Sequence, residues 1–171
     1  MEDDSDERYE SGLDQWRALP VFKQSETLFE LVEHIVDGIR LEDSYATSDY
    51  DKSMFIHHTQ TMMENALTIP SRIAAAHNSD TYDIKMENAV LIKKAAVEIL
   101  VNTRGLKMAG FKEVEYLELL DISVEAFRPV FAEWVATFDP KDFIINRWGL
   151  FNPPGVHYND VEDYLDDDDL L

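Results

Sequence analysis

An all-α fold, an up-down-up-down four-helix bundle followed by a short extra C-terminal helix and an extended strap, is predicted by three observations. Apolar residues recur at three- and four-residue steps through four long stretches between Ala18 and Phe138. In two of them, residues 55–76 and 117–138, the alternation of threes and fours holds one apolar seam on one side of a helix. The connections between stretches, such as LEDSYATSD and HNSDT, are polar and rich in turn and capping residues. At 171 residues the chain fits one domain, able to bury roughly two-thirds of its unfolded surface. The expected organisation is an acidic tail over 1–15, a bundle over 16–138, a helix and aromatic strap over 139–158, and an acidic tail over 159–171.

The formal charge of -20 is concentrated at the ends. Residues 1–15 carry seven acids against Arg8, and residues 157–171 carry seven against no Lys or Arg. Such blocks repel themselves and read as solvated tails that aid solubility or attract a basic partner.

The first helix spans Ala18 to Arg40. Phe22, Phe29, Val32, Val36 and Ile39, flanked by Leu28 and Ile35, form its apolar face, and His34 falls on its polar side. The second starts between Asp49 and Ser53 and runs to Ala76. Its seam is Phe55, Thr59, Met62, Ala66, Ile69, Ile73 and Ala76, which keeps phase across Pro70, so the proline should kink the helix without ending it. Ser79 or Asp80 is the expected cap of a third helix over Thr81 to Thr103. That helix has two apolar stripes, one of Tyr82, Met86, Ala89, Ile92, Ala96 and Ile99, the other of Val90, Val97 and Val101. Together they cover about half its circumference, more than one buried side requires, consistent with a helix that is central in the bundle or one whose second stripe contacts another subunit. Lys93 projects between the stripes and is expected to snorkel, the alternatives being a buried ion pair or a functional amine. Arg104-Gly105 is read as the C-terminal stop.

The fourth helix runs from Glu113 to Phe138 on a seam of Leu117, Leu120, Val124, Phe127, Phe131, Trp134 and Phe138, bent at Pro129. Asp139-Pro140 then resembles an N-cap and first helical position, predicting the short helix through Arg147. Trp148, Leu150, Phe151 and Val156 in RWGLFNPPGVHY suggest an apolar strap over the bundle or a neighbouring chain, with Trp148 and Phe151 as candidate oligomer contacts.

Chemistry finds few residues to work with. There is no cysteine, so disulfides, thiolate metal sites and cysteine nucleophiles are excluded. No Gly-x-Ser-x-Gly elbow and no phosphate-binding glycine loop occurs. Carboxylate-bridged metals in bundles need inward Glu and Glu-x-x-His steps. The chain has no Glu-x-x-His, which leaves His34, His57 or His58 with Glu64 as the weak metal alternative, and surface histidines as the simpler reading. No cofactor and no catalysis is expected. The basic residues between Lys93 and Lys112, namely Lys93, Lys94, Arg104, Lys107 and Lys112, give a local balance of +4 against Glu98. They are the candidate for phosphate contacts, although the acidic ends would compete for the same surface.

ALTIPSRIAAA, with the polar turn and YDIKMENAVLIKKAAVEILV after it, resembles the small bacterial four-helix bundle proteins encoded in ribosomal-RNA intervening sequences. Their relatives include the accessory variability proteins of diversity-generating retroelements. That family shows an Ala-x-Ser-Ile-Pro-Ser-Asn-Ile-Ala type segment on its second helix. Here Ala66, Thr68, Ile69, Pro70, Ser71, Ile73 and Ala74 match, with Arg72 in place of Asn. The resemblance implies a ring-like homo-oligomer with a nucleic-acid or nucleoprotein partner, with Arg72 facing that partner.

The expectation is therefore a non-catalytic bundle that self-associates and scaffolds other macromolecules, through an unknown protein partner. The alternatives are a nucleic-acid accessory protein, disfavoured by the acidic charge, and a bundle metalloprotein. The acidic N-terminus and the lack of an apolar run approaching the roughly 20 residues of a membrane span predict a cytoplasmic protein with no membrane partner.

Overall fold

The structure, a computed structural model, describes residues 15–41, with backbone alone at Arg40 and Leu41, and residues 48–161. The described residues are helical without strands: a 3-10 turn at Gln15–Ala18, then α1 (Pro20–Leu41), α2 (Asp49–His77), α3 (Tyr82–Met108) and α4 (Val114–Val135). The acidic ends, residues 1–14 and 162–171, lie outside the described residues, as does most of the α1–α2 connection.

Each helix packs on its neighbours in sequence and α1 closes against α4, whereas the diagonal pairs α1/α3 and α2/α4 do not meet. This is a four-helix bundle with its core on the shared axis. Leu28 and Ile35 of α1, Met62, Ile69 and Ile73 of α2, Ile92, Ile99 and Leu106 of α3, and Leu117 and Leu120 of α4 are fully enclosed. Burying each such side chain is worth about 1.5–3 kcal/mol. The α2 seam is buried as the spacing required: Phe55, Thr59, Met62, Ala66, Ile69, Ile73 and Ala76 are its buried residues. Thr59 is tolerated there because its hydroxyl donates back to Phe55 O at 2.8 Å.

Helix ends follow local chemistry. The hydroxyl of Ser48 accepts from Asp51 N at 3.1 Å, and Asp49 and Asp51 occupy the first turn of α2, where negative charge suits the helix dipole. α2 continues through Pro70, and the Ser71 hydroxyl donates to the carbonyls of Leu67 and Thr68 beside it. At α3, Thr81 is the cap residue in place of Ser79 or Asp80, and no side chain caps the first turn. Instead the Asp142 carbonyl accepts from Tyr82 N and supplies one of the missing partners.

Three helix boundaries correct the sequence reading: α4 ends at Val135, short of Phe138, where the chain leaves the helix ahead of Pro140, and two others depart further. α3 does not stop at Arg104-Gly105 but continues to Met108. There Phe111 N donates to Leu106 O at 3.0 Å and Gly110 N to Lys107 O at 3.2 Å, around Gly110 at φ +87°. This is a Schellman stop, with Leu106 and Phe111 both buried beside it. Nor does a helix form over 139–147. The Asp139 side chain accepts from Lys141 N at 2.9 Å and its carbonyl from Asp142 N at 3.3 Å. The result is a turn that sends the chain across the start of α3.

Candidate interaction surface

α3 presents two unlike faces, and the residues singled out from the sequence divide between them. Toward α2, side chains bridge the two helices in three rungs. His58 Nδ1 lies 2.8 Å from Asn102 Oδ1, Asn65 Nδ2 donates to Glu98 Oε2 at 3.0 Å, and Arg72 Nη1 donates to Asn88 Oδ1 at 3.4 Å. The α2 members are seven residues apart, two helical turns, so they stack along one edge. Asn102 and Asn88 also donate to carbonyls on their own helix, at 2.7 and 2.9 Å, which fixes their acceptor oxygens toward α2.

Close approach at the first rung depends on Gly105. A Cβ placed there would overlap the His58 ring, so glycine inside the helix makes room for the imidazole. His58 is thus a half-buried interhelical residue and not the surface histidine expected. Its partner is 44 residues away, a distance at which local spacing gives no signal. Arg72 is likewise drawn to Asn88 at the α2/α3 edge, although it remains exposed.

The opposite face of α3 is uncovered. Val90, Val97, Val101 and Met108 are 47, 49, 56 and 90% exposed. At 100° per residue they fall within about 40° of one another and form a strip some 27 Å long, at 1.5 Å per residue. Lys93 and Arg104 flank it on one side and Lys94 on the other, all three exposed. The six basic candidates therefore do not form one patch. Lys93, Lys94 and Arg104 share this outer face. Lys107 turns to α4 and pairs with Asp121 at 2.9 Å, Lys112 lies beyond the Schellman stop, and Arg72 is on another helix. Lys94 also approaches Glu98 at 3.8 Å, an exposed pair worth little.

The outer face of α4 has the opposite charge. Leu119 and Ile122, 50 and 64% exposed, sit beside exposed Glu115 and Glu118.

The C-terminal segment is anchored by amide groups, a correction to the apolar strap. Buried Asn146 donates to Glu87 Oε1 at 3.3 Å, and its Oδ1 accepts from Trp148 N and Leu150 N. Asn152 closes the loop, accepting from Asn146 N at 2.8 Å and donating to Asn146 O at 3.1 Å. Phe151 adopts φ +59°, a conformation costly for a side chain with a Cβ, and is half-buried. Trp148 points outward, 90% exposed. Arg147 then donates to the carbonyls of Tyr158 and Asp160 at 3.0 and 2.7 Å, so the chain is held through Asp160, two residues into the expected tail.

An open depression of about 570 Å³ lies between this segment and the start of α3, lined by Asp80, Thr81, Lys85, Lys141, Asp142 and Phe143. Among the described residues no group of three or more His, Asp or Glu side chains is placed to hold a metal ion. His34 packs on Tyr116, and His57 and His58 stand with ring centres 5.5 Å apart. No helix among the described residues is long and apolar enough to cross a membrane. Comparison with protein-family models, with curated proteins and with solved structures finds no match.

Proposed function

We propose that this chain is a non-catalytic bundle whose four helices run up-down-up-down and whose copies associate to scaffold other macromolecules. The rung order supports the course, since residue numbers rise along α2 as they fall along α3, and His34 of α1 meets Tyr116 near the start of α4. The observation that carries the association is the uncovered line of Val90, Val97, Val101 and Met108, apolar side chains on one face of α3 with Lys93, Lys94 and Arg104 beside them. Its complement is on the same molecule, where α4 exposes Leu119 and Ile122 among Glu115 and Glu118. One copy's α3 resting on the next copy's α4 is a head-to-tail contact, which closes into a ring or continues as a filament. The resemblance of residues 66–74 to the ring-forming intervening-sequence proteins supports the same reading. Exposed Trp148 is a further candidate anchor for a partner.

Light scattering on the full chain at micromolar concentration tests the reading. The expected outcome is a mass that is a multiple of the chain's own, reduced to one chain by Val97→Glu with Val101→Glu. A monomer throughout the micromolar range would remove it.

The nucleic-acid reading keeps only Lys93, Lys94 and Arg104 on one face, within a chain of charge -20. The metal reading finds no ligand cluster among the described residues. A cytoplasmic setting fits an acidic, cysteine-free chain.

A further inference from the structure

Two side chains link the end of the described chain to α3. Asn146 bonds Glu87, one helical turn before Val90, and the next residue, Arg147, holds the Tyr158 and Asp160 carbonyls. The described chain ends at Val161, 85% exposed, in the segment that these bonds tie to the first half of α3. The ten residues after it, EDYLDDDDLL, span up to about 33 Å when extended, enough to follow a strip of about 27 Å.

Their chemistry matches the strip. Glu162, Asp163 and Asp166 to Asp169 supply six negative charges for Lys93, Lys94 and Arg104, and Tyr164, Leu165, Leu170 and Leu171 supply apolar side chains for Val90, Val97, Val101 and Met108. The acidic N-terminal segment is less suited. It enters at the 3-10 turn, which packs on α1 and α2 and does not meet α3, and it is poorer in apolar residues.

We propose that residues 162–171 dock on the outer face of α3 of their own chain, along Val90, Val97 and Val101, with Lys93 and Arg104 holding the aspartate run. The segment imitates the acidic, apolar face of α4, so docking and association compete for one surface: docking holds in the single chain and gives way where another copy takes the strip. An intramolecular partner benefits from a high effective concentration, which lets individually weak, screened contacts hold.

The absence of native cysteine makes the test clean. A nitroxide on Asp168→Cys in the full chain should broaden the amide and methyl NMR signals of Val97 and Val101 at low ionic strength. The broadening should persist on dilution to concentrations at which light scattering shows single chains, and there it should weaken at least several-fold in 1 M salt or with Lys93→Glu and Arg104→Glu. A label on Asp6→Cys should leave those signals sharp. Docking in cis is overturned if the Asp168 label leaves Val97 and Val101 sharp in single chains. It is equally overturned if broadening arises only when labelled chains are mixed with isotope-labelled, spin-free ones. Failure of association, by contrast, is read from light scattering alone and leaves the broadening intact.

Discussion

The inner and outer faces of α3 differ in what completes them. The inner face is finished within the chain: Ala89, Ile92, Ala96, Ile99 and Leu106 are buried, and Asn88, Glu98 and Asn102 are matched to α2. The outer face has the same apolar character at Val90, Val97 and Val101 but leaves them 47, 49 and 56% exposed. Apolarity alone therefore does not identify the core; the polar rungs do. A buried or half-buried amide is tolerated only where its hydrogen bonds are met, so matched polar pairs mark a face built against a fixed partner.

The sharpest way to break this comparison is to truncate one residue on each face. Ile99→Ala should cost about 2–5 kcal/mol in urea unfolding, because it opens a cavity in a closed core. Val97→Ala, four residues along the same outward strip from Val101, should change the stability of an isolated chain by less than about 0.5 kcal/mol. Equal costs at the two sites would mean that the outer face is covered within the chain's own bundle.

A smaller effect separates the rungs from simple packing. Asn102→Ala leaves His58 without its partner and should cost about 1–3 kcal/mol by the same measurement. Smaller still, and more telling, is Gly105→Ala. Alanine gains up to about 1 kcal/mol of helix propensity, yet its methyl group must displace the His58 ring from Asn102. The substitution should destabilise the parent by about 1 kcal/mol and stabilise a His58→Ala chain by about 0.5–1 kcal/mol. The same sign in both backgrounds would show that the glycine is not there for the imidazole. The smallest expected change is Glu98→Gln at the exposed Lys94 pair. The Asn65 bond to that residue retains an acceptor, and the stability change should stay within about 0.5 kcal/mol.

How far the fold was legible follows from the range of the interactions involved. The α2 seam could be read because burial repeats with the helical period, and that period is local. The end of α3 was misplaced because Arg104-Gly105 resembles a stop, while the actual stop at Gly110 depends on Leu106 and Phe111 closing over it. The expected helix at 139–147 failed for a related reason. Its Asp-Pro start is a sound local signal, but the Asp139 side chain and the docking of Asp142 on Tyr82 favour a turn. His58 and Arg72 could not be matched to Asn102 and Asn88, since those pairs exist only after α2 and α3 meet. The second stripe of α3 was visible as surplus apolar surface, and its exposed position follows from which face the rungs claim.

The α3-to-α4 contact can be examined directly with two charge-reversed chains. One carries Lys93→Glu with Arg104→Glu, the other Glu115→Lys with Glu118→Lys. Alone, each sets like charges against like and should sediment as a single chain; mixed in equal amounts, they restore opposite charges at every contact and should assemble. Assembly of either variant by itself to the parent's extent, or a mixture that stays monomeric while the parent assembles, would contradict a contact between these two faces.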